Sequence, residues 1–255
     1  MPVSHRFDSD AIEKFSTVDL ISELKRRYKV LSRPESSCVI LGPPLSGVST
    51  QAHFLQREWG LCRLKREDFM HNGNTEVKTA IEKLSEEIGS FRCRRGFALE
   101  NFPTNSEEAR LLDEMITEKH PERIDYKTLL LDMPHDNGKE ANSSIDILLN
   151  RDSGNLIHEP SGHIYNSNIA NLAPQTPNVD DISGEPLTER LSDVPERSGV
   201  ISSWWKSLQP PLEAYFGDRL EKIDASQPKE AVSEAITRIF MRSKQSKDEG
   251  KELIA

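Results

Sequence analysis

Long apolar runs are missing from this chain. No stretch approaches the ~20 consecutive apolar residues that cross a bilayer, so no membrane span is expected. Cysteine is scarce, with only Cys38, Cys62 and Cys93 among 255 residues. Their odd number and wide spacing give neither a zinc pattern nor a disulfide framework, and favour a reducing, intracellular compartment. Surplus positive charge is also absent. A formal net charge of −9 argues against a general nucleic-acid binder, which shows a basic footprint. There is no internal repeat, and the N-terminus does not read as a secretory signal. Asp8, Asp10, Glu13 and Asp19 interrupt the acid-poor character of a transit peptide. What is present, 35% hydrophobic and 29% charged residues, suffices for one substantial core with a small appended subdomain.

The most informative stretch lies at residues 38–54. An apolar strand, Cys38 to Leu41, enters a turn opened by Gly42 and Pro43, and a helix follows from about Ser49. This is the layout of a phosphate-binding loop, G-x-x-x-x-G-K-[ST], whose backbone N–H groups and helix N-terminus cradle phosphate oxygens. The motif's lysine is replaced by Val48.

Elsewhere strands alternate with helices. Val18, Ile21, Leu24, Tyr28 and Leu31 recur at helical spacing, with Lys25, Arg26, Arg27 and Lys29 between them. This helix either packs on the back of the domain or docks a partner. Further strands are predicted at 61–64, 96–99, 127–133 and 219–223. Helices are predicted at 49–59 (ended by Gly60), around Val77 to Phe91, at 105–118, in a short piece reaching Arg151, at 196–216 and at 228–241. Residues 154–193, rich in Gly, Pro, Asn and Asp, read as a small irregular excursion. The charged residues from 243 onward are expected to fray. The pattern predicts an α/β protein, a parallel sheet with helices on both faces.

Four segments, in order, resemble the adenylate kinase family. Gly42-Pro-Pro-Leu-Ser-Gly-Val-Ser-Thr-Gln-Ala is similar to its phosphate loop. Arg95-Gly-Phe-Ala-Leu-Glu-Asn-Phe-Pro-Thr is similar to its N-G-[FW]-[LI]-L-D-G-[FY]-P-R strand. His158-Glu-Pro-Ser-Gly-His-Ile-Tyr and Asp180-Asp-Ile-Ser-Gly-Glu-Pro-Leu-Thr-Glu-Arg190 resemble the two arms of its lid, and Ile223-Asp-Ala-Ser-Gln-Pro its last strand and turn. The resemblance implies a three-layer P-loop NTPase-type fold over residues 37–242. It implies a lid at about 154–193, an N-terminal extension at 1–36 and a charged tail at 243–255. Because the chain from His71 to Phe97 is much shorter than in the family, the AMP-binding arm looks largely deleted.

Members of that family move a phosphoryl group between ATP and AMP with Mg²⁺, a reaction run mainly by positioned cations. Carried onto this sequence, the nucleotide-contact positions are Gly42, Pro44, Leu45, Ser46, Gly47, Val48, Ser49 and Thr50 in the loop. Arg151, Ile164, Tyr165 and Arg190 lie on the ATP and lid side. Ser49, Asp68 and Glu100 fall near the Mg²⁺ position. His158, Ser161, Asp180 and Ser183 occupy the polar tetrad that replaces zinc in metal-free lids; no cysteine lies between 154 and 193, so no zinc is expected. The departures concentrate on cations. The loop lysine is Val48, two AMP-phosphate arginines are His71 and Thr104, and two lid or hinge arginines are Asn155 and Ile201. The AMP threonine is Arg66, and the adenine-reading glutamine is Glu108.

A charge-assisted hydrogen bond to phosphate contributes about 1.5–3 kcal/mol, and a transition-state arginine is worth roughly 10³–10⁵ in rate. Loss of so many together implies lost catalysis: an adenylate-kinase-like pseudoenzyme serving as accessory or scaffold subunit. The loop either holds ATP or another nucleotide weakly through its N–H groups and Arg151, or is kept only for the strand–turn–helix. The alternative is an active nucleoside monophosphate kinase in which Lys65 and Arg66 supply new phosphate contacts. Expected protein contacts are the N-terminal helix, the polar segment 135–144 and the lid, with Trp204 and Trp205 as a contact surface; otherwise one tryptophan is buried and the other partly exposed. Mitochondrial and ciliary or cytoplasmic sites both suit such a subunit.

Overall fold

The computed structural model describes residues 16–70, 76–133, 147–149, 154–158, 163–167, 173–189 and 194–252. Its centre is a five-stranded sheet built from β1 (Cys38–Leu41), β2 (Cys62–Lys65), β3 (Phe97–Glu100), β4 (Lys127–Asp132) and β8 (Leu220–Asp224), in the order β2-β3-β1-β4-β8. Every pairing is parallel. β1 and β3 are buried along their whole length, as strands covered by helices on both faces must be. Helices α2 (Val48–Trp59) and α8 (Lys229–Glu252) form one packed group; α4 (Val77–Gly89), α5 (Ser106–Lys119) and α7 (Gln209–Phe216) form the other. α1 (Thr17–Ser32) lies outside on α2, and α3 (Arg66–Phe69) is a single turn following β2. A second, three-stranded antiparallel sheet, β6-β5-β7, comprises β5 (Asn155–His158), β6 (His163–Asn166) and β7 (Thr188–Glu189).

Local chemistry sets the boundaries. Asn105 caps α5, its side chain accepting from the Glu108 N–H at 2.9 Å. Gly60 ends α2 in the left-handed conformation, φ 70°. The predicted 196–216 helix is interrupted: α6 (Val194–Ser203) passes through a π-helical turn at Trp204–Leu208 before α7. Pro210 and Pro211 have no N–H with which to continue the α ladder, and the Gln209 N–H bonds five residues back to the Trp204 carbonyl.

Several expectations are corrected. Cys62 and Cys93 form a disulfide, with Cα atoms 4.7 Å apart. Adjacent parallel pairing of β2 and β3 brings the start of one strand beside the turn that enters the other. Trp204 and Trp205 are both buried in the core, so neither serves as a contact surface. Phe91 falls outside α4 and is exposed, with the Arg94 guanidinium 4.2 Å from its ring. Helix α8 continues to Glu252 instead of ending near Met241. Of the apolar residues of α1, Val30 packs on the domain, whereas Val18, Ile21, Leu24, Tyr28 and Leu31 are exposed.

Candidate functional site

Ligand crevices of open α/β sheets lie beyond the carboxyl ends of the strands. Here β1 runs out into the 42–47 loop, β3 ends on Glu100, and β2 ends on Lys65 next to Arg66. The loop closes through the Ser46 N–H to the Pro43 carbonyl, 3.1 Å, and α2 begins at Gly47, φ 97°, with the Gln51 N–H bonded to its carbonyl at 2.9 Å. No side chain caps this helix, so the N–H groups of its first turn lack helical acceptors and form an anion cradle. Gly42 is tightly enclosed: a Cβ there would sit 3.0 Å from the Leu131 carbonyl oxygen. Leu45, standing where the family has glycine, is held at φ 70°, a conformation that costs an L side chain roughly 1–2 kcal/mol. The cradle's shape is therefore kept in spite of its sequence.

The side chains of the loop do something else. Val48 is buried in the core at the head of α2. Ser49 directs its hydroxyl to Glu100 Oε2, 2.7 Å away. Glu100 is itself buried and ion-paired with Arg63, whose Nη2 donates to Oε2 at 3.0 Å and whose Nε donates to Oε1. Strand register explains the pair: Lys65 lies opposite Glu100 and Arg63 opposite Ala98, so Arg63 and Glu100 are diagonal neighbours on one face of the sheet. Asp68 is elsewhere employed. It is exposed and accepts the Lys65 N–H at 3.1 Å, capping α3.

A second constellation lies beyond the end of β2. Arg66 Nη1 lies 3.2 Å from Glu108 Oε2. The same carboxylate accepts the Thr104 N–H at 2.7 Å and the Thr104 hydroxyl at 2.9 Å. Glu108 is buried, and Arg66 lies 5.8 Å from the Phe102 ring centroid. In position after position, a cation here already faces an internal carboxylate.

Beside the small sheet, His158, Asp180 and Ser183 come together. The Ser183 hydroxyl donates to Asp180 at 2.8 Å and lies 3.3 Å from His158 Nε2. Burial alone would raise the Asp180 carboxyl; the Ser183 N–H and hydroxyl, the Tyr165 hydroxyl and His158 outweigh it and hold the group well below the usual carboxylate range. Tyr165, assigned above to nucleotide contact, uses its hydroxyl inside this cluster, donating to Asp180 at 2.8 Å and accepting the Asp181 N–H at 2.9 Å. Ile164 lies in β6. His71, Arg151, Ser161 and Arg190 lie outside the described residues, as does the 135–144 segment.

Sequence reasoning missed Arg63 and Glu185. An arginine between Cys62 and Leu64 in a short buried strand was the available signal for the first. Glu185, 2.8 Å from His158 Nε2, stands in the Gly-Glu-Pro of the second lid arm. Among the described residues no group of three or more His, Cys, Asp or Glu is placed to hold a metal ion, and no helix is long and apolar enough to cross a membrane.

The backbone of the 42–50 loop fits phosphate oxygens, and beside it the Ser49 hydroxyl is hydrogen-bonded to Glu100, which is also paired with Arg63. Fold and loop together define the class: an α/β P-loop protein of nucleotide-kinase architecture. No family model matches the chain. It is 32% identical over 247 residues to adenylate kinase 4 of Arabidopsis thaliana, covering 88% of this chain and 94% of that protein. It is 29% identical over 252 residues to adenylate kinase 4 of Oryza sativa subsp. japonica, covering 90% and 97% respectively. With adenylate kinase 3 of the same plant it shares 31% identity over 203 residues, covering 71% and 78%. The chain belongs to the adenylate kinase family.

Proposed function

We propose that this member of the family does not transfer phosphoryl groups and acts as an accessory or scaffold subunit of a larger assembly, with weak nucleotide binding at most. The observation that carries this reading is the neutralised site. Val48 is buried at the head of α2 where a loop lysine belongs, and Arg63 and Arg66 are paired with Glu100 and Glu108. A phosphoryl in flight needs uncommitted positive charge. On this reading residues 37–242 form the kinase-like domain, with a shortened acceptor arm between β2 and β3. The extension, the 135–144 segment and the lid then supply protein contacts. Weak ATP or other nucleotide binding would rest on the loop N–H groups, with Arg151 and Arg190 on the lid side and Mg²⁺ near Ser49, Asp68 and Glu100.

The relatives' names favour a second reading, an active nucleoside monophosphate kinase with an altered acceptor. A coupled assay with ATP, Mg²⁺ and each monophosphate separates the two. The expected result is no product above the protein-free control. Turnover at enzymatic rates, abolished by Arg151→Ala, overturns the proposal and establishes the alternative. Thermal shift with ATP alone reads the occupancy of the loop independently of turnover.

A further inference from the structure

Helix α1 uses only one side to hold itself to the domain. Val30 is buried against Gly60, the Arg26 guanidinium donates to the Arg57 carbonyl, and Lys29 lies 3.6 Å from Glu58. On the opposite side Ile21, Leu24, Tyr28 and Leu31 are 48%, 70%, 76% and 66% exposed. Their spacing of three, four and three residues is that of successive a and d positions in a heptad. Over residues 21–31 the seam is the narrow strip that one facing helix covers. Val18 and Leu20, also exposed, fall at e and g positions one turn earlier.

Beside residues 21–31 the flanks are basic. In this register Lys25 takes an e position and Arg27 a g position, where side chains of a partner helix meet those of this one. Residues 17–32 carry Lys25, Arg26, Arg27 and Lys29 against Asp19 and Glu23, although the whole chain is acidic at −9. Glu23 lies on the packed side and is shared between Arg26 and Arg27 at 2.7 and 2.8 Å; Lys25 enters no ion pair among the described residues. In the α1 of a second copy the matching e and g positions are the same basic residues, while its acids Asp19 and Glu23 fall at f and c.

We propose that α1 docks one amphipathic helix of a partner protein, with an apolar a/d seam flanked by Glu or Asp. This names the partner chemistry for the accessory role proposed above and rests on that reading. The test needs neither ATP nor AMP, so its outcome is separate from that of the kinase assay. Fluorescence anisotropy of the full-length protein is read with a labelled synthetic three-heptad peptide, Leu at a and d and Glu at e and g. A companion peptide carries Lys at e and g. The Glu peptide should bind more tightly than the Lys peptide by about tenfold or more, equivalent to about 1.4 kcal/mol, with the difference shrinking as salt is added. Leu24→Asp with Tyr28→Asp should abolish that binding and leave thermal unfolding unchanged, since both side chains are exposed. No binding of the Glu peptide, or equal binding of the two peptides, overturns the proposal. So does dimerisation of the wild-type chain, or its binding to phosphatidylserine vesicles, that the same double substitution removes.

Discussion

Arg66 and Glu108, 42 residues apart in the chain, meet across the C-terminal edge of the sheet with Nη1 3.2 Å from Oε2. The arginine at the end of β2 is answered by a carboxylate in the first turn of α5, where the helix N-terminus also favours negative charge.

Breaking this compensation should both weaken and open the site. Glu108→Gln removes the negative charge and one of the two acceptor oxygens that serve Arg66, the Thr104 N–H and the Thr104 hydroxyl. Because Arg66 is partly exposed, the stability loss is expected at about 1–3 kcal/mol, below the range for a fully buried pair. Urea denaturation measures it. The released guanidinium should at the same time gain affinity for inorganic phosphate, seen as ligand-dependent stabilisation absent in the wild type.

Asp113 predicts a pH dependence. Burial would raise its carboxyl, but Arg219, Tyr126 and Tyr215 donate to it at 2.7, 2.6 and 2.8 Å and lower it overall. A carboxyl lowered in the folded state contributes stability that is fully present above the unfolded value, about 3.9. That contribution is lost as pH falls through the lower folded value. Asp113→Asn should therefore destabilise the protein at neutral pH and flatten the acid limb of its stability profile. Denaturant midpoints measured from pH 7 down to 3 give both results.

The small sheet should fail on its own. Asp180 accepts from Tyr165, Ser183 and the Ile182 N–H, and these bonds organise the 180–185 turn. In Asp180→Asn, hydrogen exchange should accelerate across residues 163–167 and 173–189 by about tenfold or more, equivalent to about 1.4 kcal/mol of opening free energy. Exchange in β1, β3 and β4 should stay unchanged.

The Cys62–Cys93 bridge spans 31 residues and encloses α3 and α4. A crosslink of that length is worth about 3–4 kcal/mol, chiefly through the unfolded chain. Paired denaturation curves with and without reductant should differ by about that amount. Cys62→Ser with Cys93→Ser should abolish the reductant effect.

Much of this was written in the chain itself. Hydrophobic runs placed β1, β3 and β4 within about one residue, because buried parallel strands require continuous apolar stretches. Gly60 and Asn105 announced a helix end and a helix start through backbone and capping chemistry, which is local. The missing lysine at Val48 needed no structure to be seen, nor did the loss of other cations from the phosphate-handling positions.

Folding decided how the remaining charges are used. Nothing in the order of residues says that Arg63 reaches Glu100, that Arg66 is consumed by Glu108, or that Cys62 meets Cys93. Those partners are set by strand register and by the crossover of parallel strands, which join positions far apart in the chain. The outward turn of Ile21, Leu24, Tyr28 and Leu31 is of the same kind. Periodicity groups them on one side of a helix; only packing determines which side of that helix the domain covers.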